Sequence, residues 1–146
     1  MIALLDINIL IALAWPSHAH HDAAHAWFHQ NHQRGWATCP TTQVGFIRVS
    51  TTPAAVKTIV SGHEAFQILE KSLQSPHHHF WPQSKSIAEM NPILKGRVMG
   101  PKQLGDLFLL NVALENGGVL ATIDHRIAGS LPANSPLRDT IEVLPV

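Results

Sequence analysis

Short apolar runs recur along the chain, each closed by a polar or turn-forming residue. IALL at residues 2–5 ends at Asp6, and NILIALAW at 8–15 follows with apolar residues too dense for a surface helix. That pattern predicts a buried strand passing directly into a short buried helix. In AHHDAAHAWFHQNHQ, residues 19–33, Ala23, Ala24, Trp27 and Phe28 fall at spacings of three and four. They predict a second helix with one apolar face, stopped by Gly35. WATC at 36–39 reads as a second strand, and Pro40 opens the helical stretch TTQVGFIRVS, because proline is tolerated in a first turn. Pro53, then Ser61 with Gly62, divide the middle of the chain into two more helices, AAVKTIV and HEAFQILEKSLQ. HHHFW, closed by Pro82, predicts a third strand, while Pro92 interrupts any long helix through SKSIAEMNPILKG.

The clearest pattern lies between residues 103 and 124. DLFLLNVALEN is a strongly apolar helix beginning at Asp106, Gly117 and Gly118 end it, and VLATI is a strand that stops at Asp124. IEVLPV at the C-terminus predicts one more strand. Strands separated by helices require a parallel sheet, because parallel neighbours need long crossovers. The expected fold is therefore α/β: an α/β/α sandwich around a central parallel sheet of four to five strands, in a single domain over residues 1–146.

Composition narrows the function classes. The chain has 146 residues, 45% of them apolar, with ten Lys+Arg against ten Asp+Glu. That balance excludes a broadly basic nucleic-acid coat, so any nucleic-acid contact must be local. A single cysteine, Cys39, permits no internal disulfide and makes a reducing cytoplasm the expected location. The apolar N-terminus carries Asp6 and no basic region, and it falls short of the ~20 residues that a membrane span requires. Neither an export signal nor a membrane anchor is expected.

Of five aspartates, Asp6 and Asp124 directly follow apolar strand runs, and Asp106 opens the helix leading back to the VLATI strand. Strands of a parallel sheet end at one edge, and ligands of open α/β sheets bind there. Taken singly, each carboxylate is adequately explained as a helix cap or turn residue. Three acids converging on one cleft would repel one another unless a hard cation neutralised them, and an oxygen-only set suits Mg²⁺ or Mn²⁺ better than Zn²⁺.

LLDINIL at 4–10, ATCPTTQVGFIRV at 37–49, KQLGDLFLLNVALENGG at 102–118 and LATID at 120–124 occur in an order and spacing that resembles the PIN-domain ribonucleases. Within that family the resemblance is to the VapC-type toxins of bacterial toxin–antitoxin pairs. It implies a PIN-like fold, Mg²⁺-dependent endoribonuclease activity with Mn²⁺ as a substitute, an RNA substrate, a homodimer, and inhibition by a small cognate antitoxin. Asp6, Asp106 and Asp124 match the family's catalytic, metal-binding aspartates, and Asn8 and Thr122 match its neutral supporting positions. The family usually places a Glu where this chain has Gln43, and a Thr or Ser where it has Gly105. Gln43 offers a neutral oxygen instead of a charge, which implies weaker metal binding and reduced activity. The alternative reading is a catalytically weakened PIN-like module that binds RNA or a protein partner without efficient cleavage.

Other constellations carry less. Lys95, Arg97 and Lys102 form the one dense basic cluster, a solvated loop or a phosphate guide beside the acids, with Arg48 and Arg126 as further candidates. His21, His25, His29 and His32 recur at helical spacing without the glutamate or cysteine pairs of strong zinc motifs, so a solvated helix face is expected. Cys39 reads as a small core residue, and Trp15, Trp27, Trp36 and Trp81 as core or interface residues.

Overall fold

The computed structural model describes all residues from Met1 to Val146. Its five strands are β1 (Ala3–Leu5), β2 (Trp36–Thr38), β3 (His78–Phe80), β4 (Val119–Thr122) and β5 (Ile141–Val143). All pair in parallel, in the order β3-β2-β1-β4-β5. The seven α-helices are α1 (Ile7–Ala14), α2 (His21–Asn31), α3 (Pro40–Ser50), α4 (Pro53–Val56), α5 (Gly62–Leu73), α6 (Pro92–Lys95) and α7 (Pro101–Glu115).

Alternation along the strands assigns the two faces. Ala3, Leu5, Trp36 and Ala121 face one core, shared with Ile9 and Ile11 of α1, Trp27 of α2, Phe46 of α3 and Leu69 of α5. Leu4, Ala37 and Leu120 face the other, against Leu94 of α6 and Leu107, Leu110 and Ala113 of α7. Burial on both faces is why the strands read as continuous apolar runs instead of alternating ones. The result is the expected α/β/α sandwich, with five strands.

Three element boundaries differ from the sequence pattern. The helix expected over AAVKTIV stops after one turn, because Lys57 adopts a left-handed conformation (φ 60°) and β-branched Thr58, Ile59 and Val60 follow. SKSIAEMNPILKG resolves into a 3-10 turn at Ile87–Glu89 and the short α6, whose cap Asn91 accepts from the Ile93 N–H at 2.9 Å. The third difference touches the acids: α7 begins at Pro101, five residues before Asp106. Gly100 is the extended N-cap and Pro101 supplies a pre-set φ at the first helical position. Asp106 is thus an interior residue of α7 and not its cap.

The turn from α7 into β4 uses glycine twice for different reasons. Gly117 has φ +68°, a conformation that ends the helix without a Cβ penalty. Gly118 lies so close to β1 that a Cβ there would meet the Ile2 carbonyl oxygen and the Trp81 ring at 2.5 Å.

The tryptophans are structural, as expected. Trp27, Trp36 and Trp81 are buried, and the Trp15 and Trp27 indoles donate to Ser50 Oγ and Glu142 Oε1, each at 3.0 Å. Cys39 is fully buried. The histidines of α2 depart from a purely solvated face. His21 Nδ1 donates to the Ala12 carbonyl and His25 Nε2 to the Leu13 carbonyl, both at 2.7 Å. They satisfy acceptors that the C-terminal turn of α1 leaves open.

Candidate active site

The strand order creates a switch point. From β1 the chain moves outward to β2 and β3, then crosses to the other side of β1 to form β4 and β5. Loops leaving β1 and β4 at their carboxyl ends diverge to opposite faces, opening a crevice between adjacent strands. Asp6 follows β1 and Asp124 closely follows β4, so these residues, 118 positions apart in sequence, flank one crevice. Asp106 enters from the second turn of α7.

A buried threonine organises the edge. Thr122 Oγ1 donates to Asp6 Oδ2 at 2.6 Å and accepts from Asn8 Nδ2 at 3.2 Å and from the Asp124 N–H at 3.1 Å. One hydroxyl thereby uses its donor and both lone pairs. Asn8 Oδ1 accepts from the Ile123 N–H at 3.3 Å, tying α1 to the segment after β4. Asp6 also caps α1, with Oδ1 accepting from the Ile7 N–H at 2.7 Å. Capping therefore coexists with a place in the crevice.

The three carboxyls are electrostatically coupled. Burial pushes the Asp6 pKa above its ordinary value, Thr122 and the Ile7 N–H pull against it, and Asp124 adds a further upward push. Asp106 is raised to about 6, first by burial, then by the negative charges of Asp6 and Asp124. Asp124 moves the other way, because Arg126 holds it: Arg126 Nε and Nη2 donate to its two oxygens, each at 3.0 Å, and the Arg126 N–H donates to Oδ1 at 2.9 Å. Lys102 adds positive charge near both Asp106 and Asp124.

The donor set is entirely oxygen, which is the chemistry a hard divalent ion takes, and the charges of Asp6 and Asp124 add to burial in raising Asp106, a contribution that a cation would relieve. As the side chains stand, no three His, Cys, Asp or Glu groups lie close enough together to share one ion, and both Asp124 oxygens are engaged by Arg126.

The remaining sequence candidates divide. Gln43 lies in the first turn of α3, at the carboxyl edge of β2, and its Nε2 donates to Thr38 Oγ1 at 3.0 Å. Lys95 Nζ donates to the Ala88 carbonyl at 2.9 Å and Arg97 Nε to the Ser130 carbonyl at 2.7 Å, so both pin loops. Of the basic cluster, Lys102 is the member whose charge is felt at the acids. Sequence reasoning missed His18, His20 and His125, which line a cleft with Asn8, Asp124 and Arg126. Only the adjacency of His125 to the TID run hinted at this; His18 and His20 are more than a hundred residues away.

No family model matches the chain. Individual curated proteins do, among them ribonucleases of Mycobacterium tuberculosis. The chain is 38% identical over 128 residues to Ribonuclease VapC44, covering 88% of this chain and 89% of the relative. It is 35% identical over 133 residues to Ribonuclease VapC39, covering 91% and 96%. To Ribonuclease VapC38 it is 38% identical over 122 residues, covering 84% of each. Similarity of this extent over nearly whole chains, on a parallel sheet with acids at its switch point, places this chain in the VapC family of PIN-domain ribonucleases.

Proposed function

We propose that this chain is a metal-dependent endoribonuclease that hydrolyses RNA phosphodiester bonds, the toxin of a type II pair held inactive by a cognate antitoxin. The observation that carries the reading is the coupling of Asp6, Asp106 and Asp124 at the switch point, with Asp106 raised to about 6. The names of the relatives support the ribonuclease part.

Asp6, Asp106 and Asp124 would hold Mg²⁺, with Mn²⁺ able to substitute. When bound, such an ion supplies Lewis-acid chemistry, polarising phosphodiester oxygens and lowering the pKa of water. The chain's own residues do the positioning. Thr122, itself tied to Asn8, fixes Asp6 against the β4 edge. Lys102 and Arg126 offset the acids' repulsion of an approaching phosphate, which would otherwise oppose RNA binding. Lys95 and Arg97 add exposed positive charge further along α6 and its exit.

Gln43 favours a second reading, a weakened module that binds RNA or a partner without efficient cleavage. It brings no negative charge, and its amide already serves Thr38. A cleavage assay on structured RNA across a Mg²⁺ titration separates the two. Asp6→Asn and Asp124→Asn are each expected to abolish Mg²⁺-dependent cleavage in a folded protein. Wild-type rates in either variant, with contaminating nuclease excluded, would refute the assignment.

A further inference from the structure

Beside the acids lies a second cleft of about 450 Å³, between the turn joining α1 to α2 and the segment after β4. Of the residues lining it only Ile123 is apolar; His18, His20, His125 and Arg126 give it its character. Its size is that of a small-ligand site, and it shares Asn8 and Asp124 with the acidic crevice.

The turn that carries the two histidines is braced. Its His18 N–H donates to the Trp15 carbonyl at 3.0 Å and the His21 N–H to the His18 carbonyl at 3.1 Å. Ser17 Oγ donates to the Val56 carbonyl at 2.8 Å. The His18 ring is itself oriented, because its Nδ1 accepts the His20 N–H at 3.0 Å. A neutral imidazole that accepts at Nδ1 carries its proton on Nε2, which leaves one defined donor. Burial, and then the nearby His20, His21 and Lys57, hold the His18 pKa below its usual value. At neutral pH His18 is therefore a flat, uncharged ring with a single donor edge, and the His20 ring stands 5.8 Å away at 50°.

Such rings are poor phosphate clamps and good platforms for an unstacked base, the way single-stranded RNA is commonly held. The cleft's one permanent cation is Arg126. Its guanidinium is held beside the acids by Asp124 through Nε and Nη2, which leaves the Nη1 side to meet a phosphate oxygen.

We infer that this cleft binds the nucleotide next to the scissile phosphate of a single-stranded RNA, with its base on His18 and His20 and its phosphate at Arg126. The inference rests on the ribonuclease reading for the position of the scissile phosphate. It assigns to the α1–α2 turn a substrate-holding role that the acids do not have.

Binding is measured by fluorescence anisotropy with a labelled mixed-sequence single-stranded RNA 12-mer in Ca²⁺ buffer, its integrity checked on a gel. His18→Ala is expected to weaken binding roughly 5- to 100-fold, the range for loss of one stacked base. His18→Phe, which keeps a ring, should stay within about threefold of wild type, a rescue that a merely structural role for the His18 hydrogen bonds would not give. His18→Ala should leave the salt dependence unchanged, whereas Arg126→Gln should lower the slope of log K against log salt by about one. Unchanged affinity in His18→Ala, or no binding by wild type, overturns the inference. Should His18→Ala fail to fold, 4-thiouridine crosslinking of wild type decides: adducts on residues 18–20 or 125–126 support the cleft, and adducts confined elsewhere refute it. Failure of the ribonuclease reading shows separately, as absence of cleavage in Mg²⁺ and Mn²⁺ by a protein that still binds RNA through His18.

Discussion

Replacing Asp106 with asparagine removes one charge from the crevice and almost no volume, so its effect on stability reads the combined cost of burying that charge and of its repulsion by Asp6 and Asp124. The carboxyl is raised from 3.8 to about 6 in the folded protein. A raised acid pKa means the folded state holds the proton more tightly than the unfolded chain does. Stability therefore falls as pH rises through the interval from about 4 to 6 and stays lowered above it. At about 1.4 kcal/mol per pKa unit the full effect would be about 3 kcal/mol, and solvent screening of a half-buried carboxylate reduces it to about 1–2 kcal/mol. Asp106→Asn should recover that amount at pH 7.5 in EDTA, raising Tm by roughly 2–8 °C for a chain of this length. At pH 4 wild type and variant should nearly coincide, because Asp106 is then protonated. Adding Mg²⁺ should reverse the ranking, since wild type gains binding energy through a ligand that the variant lacks. Thermal and urea melts across pH 4 to 8, with and without Mg²⁺, measure all three. A variant less stable than wild type at pH 7.5 in EDTA, or a difference independent of pH, would refute an Asp106 carboxyl raised by burial and by its acidic neighbours.

Thr122→Val removes a fully buried hydroxyl that serves three partners, and should cost about 2–3 kcal/mol in urea unfolding while weakening Mg²⁺ binding; a loss below about 0.5 kcal/mol would mean the network is dispensable. Gln43→Glu is expected to tighten Mg²⁺ or Mn²⁺ binding in calorimetry and raise cleavage at limiting metal, with Thr38 reversing its hydroxyl to donate to the new carboxylate; unchanged affinity in a folded variant would remove Gln43 from the site. A homodimer is expected in sedimentation, with Val44 of α3 and Phe66 of α5, 55% and 51% exposed, as the apolar residues to cover; a monomer at high micromolar concentration would refute it. The α1 residues Ile9 to Ala12 are not available for that role, because this protomer's own core buries them.

The sequence by itself determined the layer architecture. Runs such as IALL and VLATI, apolar on both faces and separated by helices, are compatible only with a parallel sheet covered on two sides, and strand-terminal Asp6 and Asp124 follow directly. By resemblance it also expected Asn8 and Thr122 beside the acids; in the structure the Thr122 hydroxyl bonds Asp6, Asn8 and the Asp124 N–H. Boundaries were less determinate. Pro101 opens α7 ahead of Asp106, because a first-turn proline followed by KQLG can extend a helix whose apolar periodicity begins only at residue 107. Lys57 ends α4 through a left-handed conformation that no periodicity announces.

Tertiary structure alone decided which polar side chains meet. Lys95 and Arg97 look like partners of Lys102 in sequence, yet Lys95 bonds the nearby Ala88 carbonyl and Arg97 the distant Ser130 carbonyl, because long basic side chains satisfy whatever acceptor the fold brings within reach. His21 and His25 look like part of a solvated helix face and instead close the end of α1. Arg126 locks onto Asp124, and His18 and His20 arrive beside them from over a hundred residues away. Periodicity records how each segment divides between core and solvent, which is a local property of the chain. Encounters between polar side chains depend on strand order and on the angles at which helices return to the sheet, and these are fixed only when the whole core packs.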